Sequence, residues 1–297
     1  CPRVSFPGRA FPVKTFHLED ALELVRHRVD GSADWSRSSM AAQRRATRKA
    51  GENGPPPVPT QQEYSRRFPK HGDGVCSALA ALDTEAINVQ LIVELVTWYV
   101  SCGGGVEAAM DTLKNRRKPE GYRGESKGSA VLVFLPGTKE IQDVQEALQR
   151  TRELGSSPEQ RDWVMQLHGS LPPDEQRRVF LRPPPGVIKG PTGGAHWEAC
   201  QGPTPPMRSR MVMSVEVVLA TNVAETSVTI DDVGVVIDSG RVKEERYLVE
   251  RRMGSLEDVW VSKASAKQRR GRAGRVQRNF SDHIRGHSVG DEGDQFA

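Results

Sequence analysis

The sequence predicts an α/β fold in which a parallel sheet is covered by helices on both faces. Short continuous apolar runs recur along the chain, as is typical of strands buried on both sides. Stretches with apolar residues three and four positions apart follow several of these runs, which indicates intervening helices. Strands that alternate with helices form parallel sheets. The runs are Ala130–Leu135, Trp163–Leu167, Val215–Ala220 and Val233–Ile237.

The N-terminal region divides into two predicted segments. Residues 1–26 begin with Pro and β-branched residues and then place Leu18, Leu22 and Val25 at helical spacing, which predicts an entry strand or linker followed by a helix. Residues 27–80 are rich in Ser, Ala, Arg, Pro and Gly, and residues 31–70 hold eight basic and three acidic side chains. We expect a disordered basic insertion at 27–80, either solvated or acting as an arm that contacts nucleic acid phosphates.

The predicted folded domain covers residues 81–280. The apolar run from Ile87 to Val100 is shorter than the roughly 20 residues of a membrane span, so we expect a buried helix and no membrane association. Gly137 marks a tight turn between the first strand and a helix. Residues 187–214 show no helical or strand period, which predicts an aperiodic insertion, and residues 281–297 predict a disordered tail.

Composition excludes several classes of protein. The four cysteines lie far apart without a CxxC pair, so neither a zinc ribbon nor a disulfide framework is expected, and a reducing intracellular compartment is favoured. His196 and Cys200 are too few ligands for a zinc site, and we expect no metal site in this chain. A lone histidine at a strand end, His168, is expected to be structural. The chain begins at Cys1 without a charged and apolar leader, which predicts no secretory signal and suggests part of a longer protein.

Two segments carry residues whose side chains are suited to binding phosphate or another anion. Val215–Ala220 runs into Thr221-Asn222-Val223-Ala224-Glu225-Thr226-Ser227, where Asn222 and Glu225 have the spacing of a capping box. Free amides and the hydroxyls of Thr221 and Ser227 at such a helix start suit phosphate oxygens, although simple helix capping is an equal alternative. At about 100° per residue, Gln268, Arg272 and Arg275 of QRRGRAGR share one helix face, which favours an anion clamp.

These motifs resemble the last two helicase motifs of the DEAH/RHA branch of superfamily 2 RNA helicases. VFLPGTKEI, LHGSLPPDEQRRVF and VIDSGRVKEERY agree with the family in order and spacing, and CPRVSFPGRAFPVKTFHLED resembles the entry into its second lobe. The resemblance covers residues 1–26 and roughly 82–278. It implies the second RecA-like lobe of a P-loop NTPase-like fold, the helicase C-terminal domain, with the two insertions and the tail as departures from the compact domain.

The resemblance implies a role for each matching residue. Gln268, Arg272 and Arg275 would reach the ATP phosphates, with one or both arginines stabilising the transferred phosphoryl group. Ser227 would sense the γ-phosphate, Asp231 would meet the ribose and Phe180 would stack on adenine. RNA phosphates and sugars would be held by a further set: Gly137, Thr221, Arg241 and Lys243.

The sequence contains no GxxxxGK[ST] loop and no DExH box. The resemblance assigns both to a preceding RecA-like lobe, which would be a partner of this one and would also bind the Mg²⁺ that accompanies ATP. We therefore expect this chain to be the C-terminal lobe of an ATP-dependent RNA helicase that does not hydrolyse ATP by itself. One alternative is a truncated, non-catalytic product that binds RNA or a partner, and another is a product without a stable fold. We expect an intracellular location, cytoplasmic rather than nuclear, because RRATRK at 44–49, which has the composition of a nuclear signal, is better explained as part of a solvated arm.

Overall fold

A six-stranded parallel sheet forms the centre of the molecule. The computed structural model describes residues 13–49, 58–102, 109, 130–156, 158–179, 187–188, 214–226, 230, 233–248, 253–273 and 281–285. The spatial order of the strands is β1-β10-β7-β2-β6-β3, and every pair is parallel. The predicted α/β class with a parallel sheet is confirmed. The sheet strands are β1 (Val13–His17), β2 (Ala130–Phe134), β3 (Val164–Leu167), β6 (Val217–Ala220), β7 (Val233–Asp238) and β10 (Ser281–Arg285).

The remaining elements surround this sheet. Two short strands pair in parallel and two longer ones form an antiparallel hairpin. These four strands are β4 (Val187–Ile188), β5 (Ser214–Val215), β8 (Arg241–Leu248) and β9 (Met253–Trp260). The helices are α1 (Leu18–Val25), α2 (Met40–Lys49), α3 (Gln61–Arg67), α4 (Asp73–Ala81), α5 (Val89–Ser101), α6 (Thr138–Gln149), α7 (Arg152–Gly155), α8 (Pro158–Asp162), α9 (Pro173–Arg178), α10 (Val223–Thr226) and α11 (Lys263–Arg270).

Two hydrophobic cores lie on opposite faces of the sheet. Because successive strand residues point to opposite faces, Val131 and Val133 of β2 join the core formed with helices α1, α4, α5 and α6. Leu132 and Phe134 join the second core, which includes Ala224 of α10 and Ala273 after α11. All of β2, β6 and β7 is buried. The continuous apolar runs in the sequence thus reflect burial on both faces.

The expectation of disorder throughout 27–80 is wrong. Helices α2, α3 and α4 form there, and residues 50–57 lie outside the described part. Thr60 caps α3 by accepting from the Glu63 N–H, while Tyr64, Cys76 and Leu79 are buried in the core on the α1 face. The average composition of the segment is polar, although these few apolar residues occur at the spacing of helices.

The expectation of disorder at 281–297 is wrong for residues 281–285. They form β10, which lies between β1 and β7 and pairs with both. The sequence SDHIR is mostly polar, so its hydropathy does not predict a strand. The strand is stabilised by backbone hydrogen bonds to its neighbours on both sides. Strands β4 and β5 pair the two ends of the predicted 187–214 insertion, and the rest of that insertion lies outside the described residues, as do residues 1–12. No helix within the described ranges could span a membrane.

Candidate functional site

The candidate site lies at the edge of the sheet where the central strands end. In parallel sheets, ligands bind outside the carboxyl ends of the strands. Gly137 follows β2, Thr221 follows β6 directly, and Asp238 is the last residue of β7. Helix α11 packs against both α10 and β7 at this position. The two motifs singled out in the sequence therefore meet at one edge.

Arg269 is the central residue of this edge. It is fully buried, and its guanidinium lies 4.9 Å from the Phe134 ring. Its Nε donates to Oε1 of Glu225 at 2.7 Å, and its Nη1 donates to Oδ1 of Asp238 at 2.8 Å and to the carbonyl of Arg241 at 3.3 Å. A buried cation is tolerated because two carboxylates and a carbonyl compensate it. The network joins the ends of β2, β6 and β7 to α11.

Arg272 and Gln268 flank Arg269 but occupy different environments. Helix α11 begins after the Ser262 cap and ends at Arg270, with Gly271 as its C-cap. Arg272 therefore lies in the turn that follows, is 4% exposed and donates to the backbone carbonyl of Glu225, whereas Gln268 is exposed on the helix. The predicted single helix face is wrong, because the helix ends before Arg272.

The segment after β6 is held by main-chain contacts. The Thr221 N–H donates to the Leu167 carbonyl at 3.1 Å, which connects it to the end of β3. The Glu225 N–H donates to the Asn222 carbonyl at 2.9 Å, but the Glu225 carboxylate binds Arg269. The carboxylate thus serves an ion pair that links two motifs instead of the predicted capping box.

Gly137 and Lys243 meet at the same edge. Gly137 is the N-cap of α6, and Nζ of Lys243 donates to both carboxylate oxygens of Glu140 at 3.0–3.1 Å directly beside it. A Cβ at position 137 would collide with the Lys243 ammonium and the Glu140 carboxylate. The glycine therefore leaves room for a half-buried ion pair between α6 and the β8–β9 hairpin.

Arg241 is enclosed at the base of the hairpin. It is 4% exposed, and its guanidinium lies 4.7 Å from the Trp260 ring. Its Nε donates to Oδ1 of Asp258 at 2.9 Å, and its Nη2 lies 3.3 Å from Oε2 of Glu85. Burial raises the pKa of Asp258, with the adjacent Arg241 acting in the opposite direction. The geometry gives Arg241 a positioning role for the hairpin, and a nucleic acid phosphate would have to displace a carboxylate to reach it.

Six of the ten predicted site residues lie at this edge, and the other four, Phe180, Ser227, Asp231 and Arg275, lie outside the described residues. Sequence reasoning did not identify Arg269 or Asp238 as site residues. A signal for Asp238 exists, because an acidic residue ends an otherwise apolar buried strand. Arg269 carries no such signal, since its neighbour Arg270 is chemically the same and is only half-buried.

His168 occupies a supporting position at the end of β3. Its Nδ1 lies 2.8 Å from the Ser170 hydroxyl, and burial lowers its pKa, with nearby Glu175 acting in the opposite direction. Within the described ranges, no group of three or more His, Cys, Asp or Glu side chains is arranged to hold a metal ion.

Comparison with known proteins gives consistent matches. Residues 210–277 match the family model of the helicase conserved C-terminal domain. Chicken ATP-dependent RNA helicase DHX30 is 42% identical over 96% of this chain and 15% of its own length, and human DHX57 is 32% identical over 96% and 19%. The solved structure of the Escherichia coli DExH-box NTPase HrpB is 28% identical over 60% of this chain and 17% of that one, with a TM-score of 0.36. The chain therefore spans 15–19% of the length of these proteins.

Proposed function

We propose that the chain forms the C-terminal RecA-like lobe of a DExH-box ATP-dependent RNA helicase, because residues 210–277 match the helicase conserved C-terminal domain and 96% of the chain is similar to proteins of that kind. In this proposal ATP binds between this lobe and a preceding P-loop lobe, and its hydrolysis drives movement of the enzyme along one RNA strand. The preceding lobe supplies the Mg²⁺ ligands and the DExH carboxylate.

The buried Arg269 network is the observation that carries the proposal. It ties Glu225, of the segment after β6, to the helix that bears Gln268 and precedes Arg272. Arg272, in the turn after that helix, is buried beside this network and donates to the backbone carbonyl of Glu225. A guanidinium placed in this way suits the stabilisation of charge on a transferred phosphoryl group.

The RNA-contacting part of the proposal rests on Gly137, Thr221 and Lys243. Gly137 and Thr221 follow the central strands β2 and β6, and the Lys243 ammonium lies beside Gly137, so a strand of RNA can pass over the Gly137 backbone, the Thr221 hydroxyl and this ammonium. Contacts of this type hold phosphates and sugars and carry no base sequence information. Arg241 supports this track through the hairpin and does not contact RNA in the proposed arrangement.

The test of the proposed function is Arg272→Ala in the polypeptide that joins this lobe to its P-loop lobe. Loss of an arginine finger lowers hydrolysis by about a thousandfold or more, so we expect RNA-stimulated ATP hydrolysis to fall by that factor and RNA affinity to stay within about twofold. Arg270→Ala is the matched control, because it removes the adjacent, half-buried arginine. Hydrolysis within about twofold of the parent enzyme would refute the Arg272 assignment.

A second measurement separates the proposal from the truncated, non-catalytic alternative. The 297-residue chain alone, which lacks a P-loop sequence, is expected to bind RNA without hydrolysing ATP. Adding the separately produced P-loop lobe is expected to restore RNA-stimulated hydrolysis. Failure of the lobe to do so, with RNA binding intact, would favour the non-catalytic alternative.

A further inference from the structure

Helix α2 is the feature that the proposed function does not use. It carries four cationic side chains and no acidic one over residues 40–49. The face formed by Met40, Gln43, Arg44, Thr47 and Arg48 lines a shallow surface depression. Each of these five residues lies three or four positions from another member of the set, so all five project from one side of the helix.

The opposite side of α2 is fixed to the body of the lobe. Ala42 is buried, and the Arg45 guanidinium binds Oδ2 of Asp83 at 2.7 Å and donates to the Asp34 carbonyl at 2.6 Å. The preceding segment is held by Arg37, whose Nε donates to the Leu82 carbonyl at 2.6 Å. These contacts hold the cationic face at a defined place on the folded lobe.

That place adjoins the candidate site. The Glu85 N–H donates to Oδ1 of Asp83 at 3.0 Å, so the residue that holds Arg45 is directly linked to the one whose carboxylate reaches Arg241. The same short loop also lines a cavity with Asp238, the last residue of β7. Helix α2 and the carboxyl edge of the sheet are therefore joined through one loop.

The charges at this edge differ in whether they are compensated. Arg241, Arg269, Lys243 and Arg45 are each paired with at least one carboxylate. Arg44 and Arg48 are exposed, and neither forms an ion pair with a carboxylate of the described ranges. The depression offers only Met40 as a large apolar side chain, so it suits a polyanion better than a membrane or an apolar protein surface.

We infer that the exposed face of α2 binds the phosphate backbone of the RNA strand outside the sheet edge, through Arg44 and Arg48. The inference rests on the proposed function, which supplies the RNA, and adds a contact surface to it. Two arginines separated by one helical turn can contact neighbouring phosphates, and guanidinium groups bind phosphate oxygens in a bidentate manner. The contact is independent of base sequence and increases the residence of RNA on the lobe.

The test is binding of a fluorescent oligouridylate to the 297-residue chain as a function of salt. Each phosphate contact to single-stranded nucleic acid contributes about 0.7 to the slope of log K against log salt. We expect the double substitution Arg44→Ala and Arg48→Ala to weaken binding about tenfold at low salt and to reduce the slope by about 1.4. Alanine favours helix, so α2 is retained, which circular dichroism checks.

The matched control is the double substitution Arg150→Ala and Arg177→Ala. It removes the same charge from two exposed arginines that are paired with Glu146 and Asp174 on other helices, and we expect RNA affinity within about twofold of the parent. If the parent chain binds RNA and the α2 substitutions change neither the affinity nor the salt slope, the inference is overturned and the proposed function is not. Absence of RNA binding by the parent chain would overturn the inference together with the RNA-binding part of the proposed function. A loss confined to polyglutamate binding would assign the face to an acidic protein and would also overturn it.

Discussion

Arg269 and Asp238 are joined by a 2.8 Å hydrogen bond between the side chains of two residues that are 0% and 2% exposed. Glu225 extends this pair, because the Arg269 Nε donates to its carboxylate, and the network joins the carboxyl end of β7 to both motif segments. Removing one member of a buried ion pair leaves the others charged and uncompensated. The stability of the lobe and the placement of Arg272 therefore depend on the same guanidinium.

Arg269→Met is expected to lower the free energy of unfolding by about 3–5 kcal/mol, because Glu225 and Asp238 lose their buried counter-charge. Urea denaturation of the 297-residue chain measures the change. Arg270→Ala serves as the control and is expected to change the value by less than about 0.5 kcal/mol. A loss for Arg269→Met of under about 1 kcal/mol would show that water or another cation replaces the guanidinium.

Two glycine substitutions are expected to separate stability from RNA binding. A Cβ at Gly137 meets the ends of two flexible side chains, so Gly137→Ala is expected to cost less than about 1 kcal/mol while weakening RNA binding at the Lys243 position. A Cβ at Gly155 meets the backbone carbonyl of Gln149, so Gly155→Ala is expected to cost about 1–3 kcal/mol or more and to leave the RNA affinity of the folded fraction unchanged. Thermal melting and oligouridylate titration measure both. Equal losses of stability would contradict the steric argument.

Glu140→Gln is expected to increase RNA affinity, because it removes the carboxylate that holds the Lys243 ammonium at 3.0 Å. One released cation makes the salt slope steeper by about 0.7. The effect should disappear when Lys243→Ala is combined with Glu140→Gln, which identifies Lys243 as its source. An increase that persists in the double variant would mean that the net charge of the chain, not Lys243, governs the affinity.

The pH dependence of stability is expected to include a contribution from His168. Burial lowers its pKa in the folded chain, so protons bind more readily to the unfolded chain. The free energy of unfolding is therefore expected to fall as the pH drops below about 6.5, the ordinary histidine pKa, and the loss continues through the lower folded-state pKa. His168→Gln should reduce this dependence in urea denaturation series at several pH values. An unchanged pH profile would assign the dependence to other groups.

The sequence predicts the central part of the fold and only part of the site. Runs such as Ala130–Leu135 and Val233–Ile237 identify strands because burial on both faces requires apolar side chains throughout. Strand β10 escapes detection because its pairing partners come from distant segments and its own residues are polar. Helices α2–α4 escape detection because a few buried positions, such as Tyr64 and Leu79, lie within a charged segment.

The site shows the same limit at the level of single side chains. The motif QRRGRAGR predicts an anion-binding cluster, but spacing along an ideal helix places Arg272 on a face with Gln268 that the structure does not form. Which arginine is buried depends on where β7 ends and on which carboxylates lie there. That information comes from tertiary structure, because Asp238 and Arg269 are 31 residues apart.

The position of β10 determines when the sheet can be completed during synthesis. The ribosome makes β1 first, yet the partner of β1 in the sheet is a strand that emerges more than 260 residues later. Until residues 281–285 leave the exit tunnel, β1 has no neighbour, and one edge of β7 stays open. Unpaired strand edges promote association between chains. A nascent chain that pauses before this point therefore exposes an aggregation-prone edge, and the rate of translation through β10 becomes a determinant of folding yield.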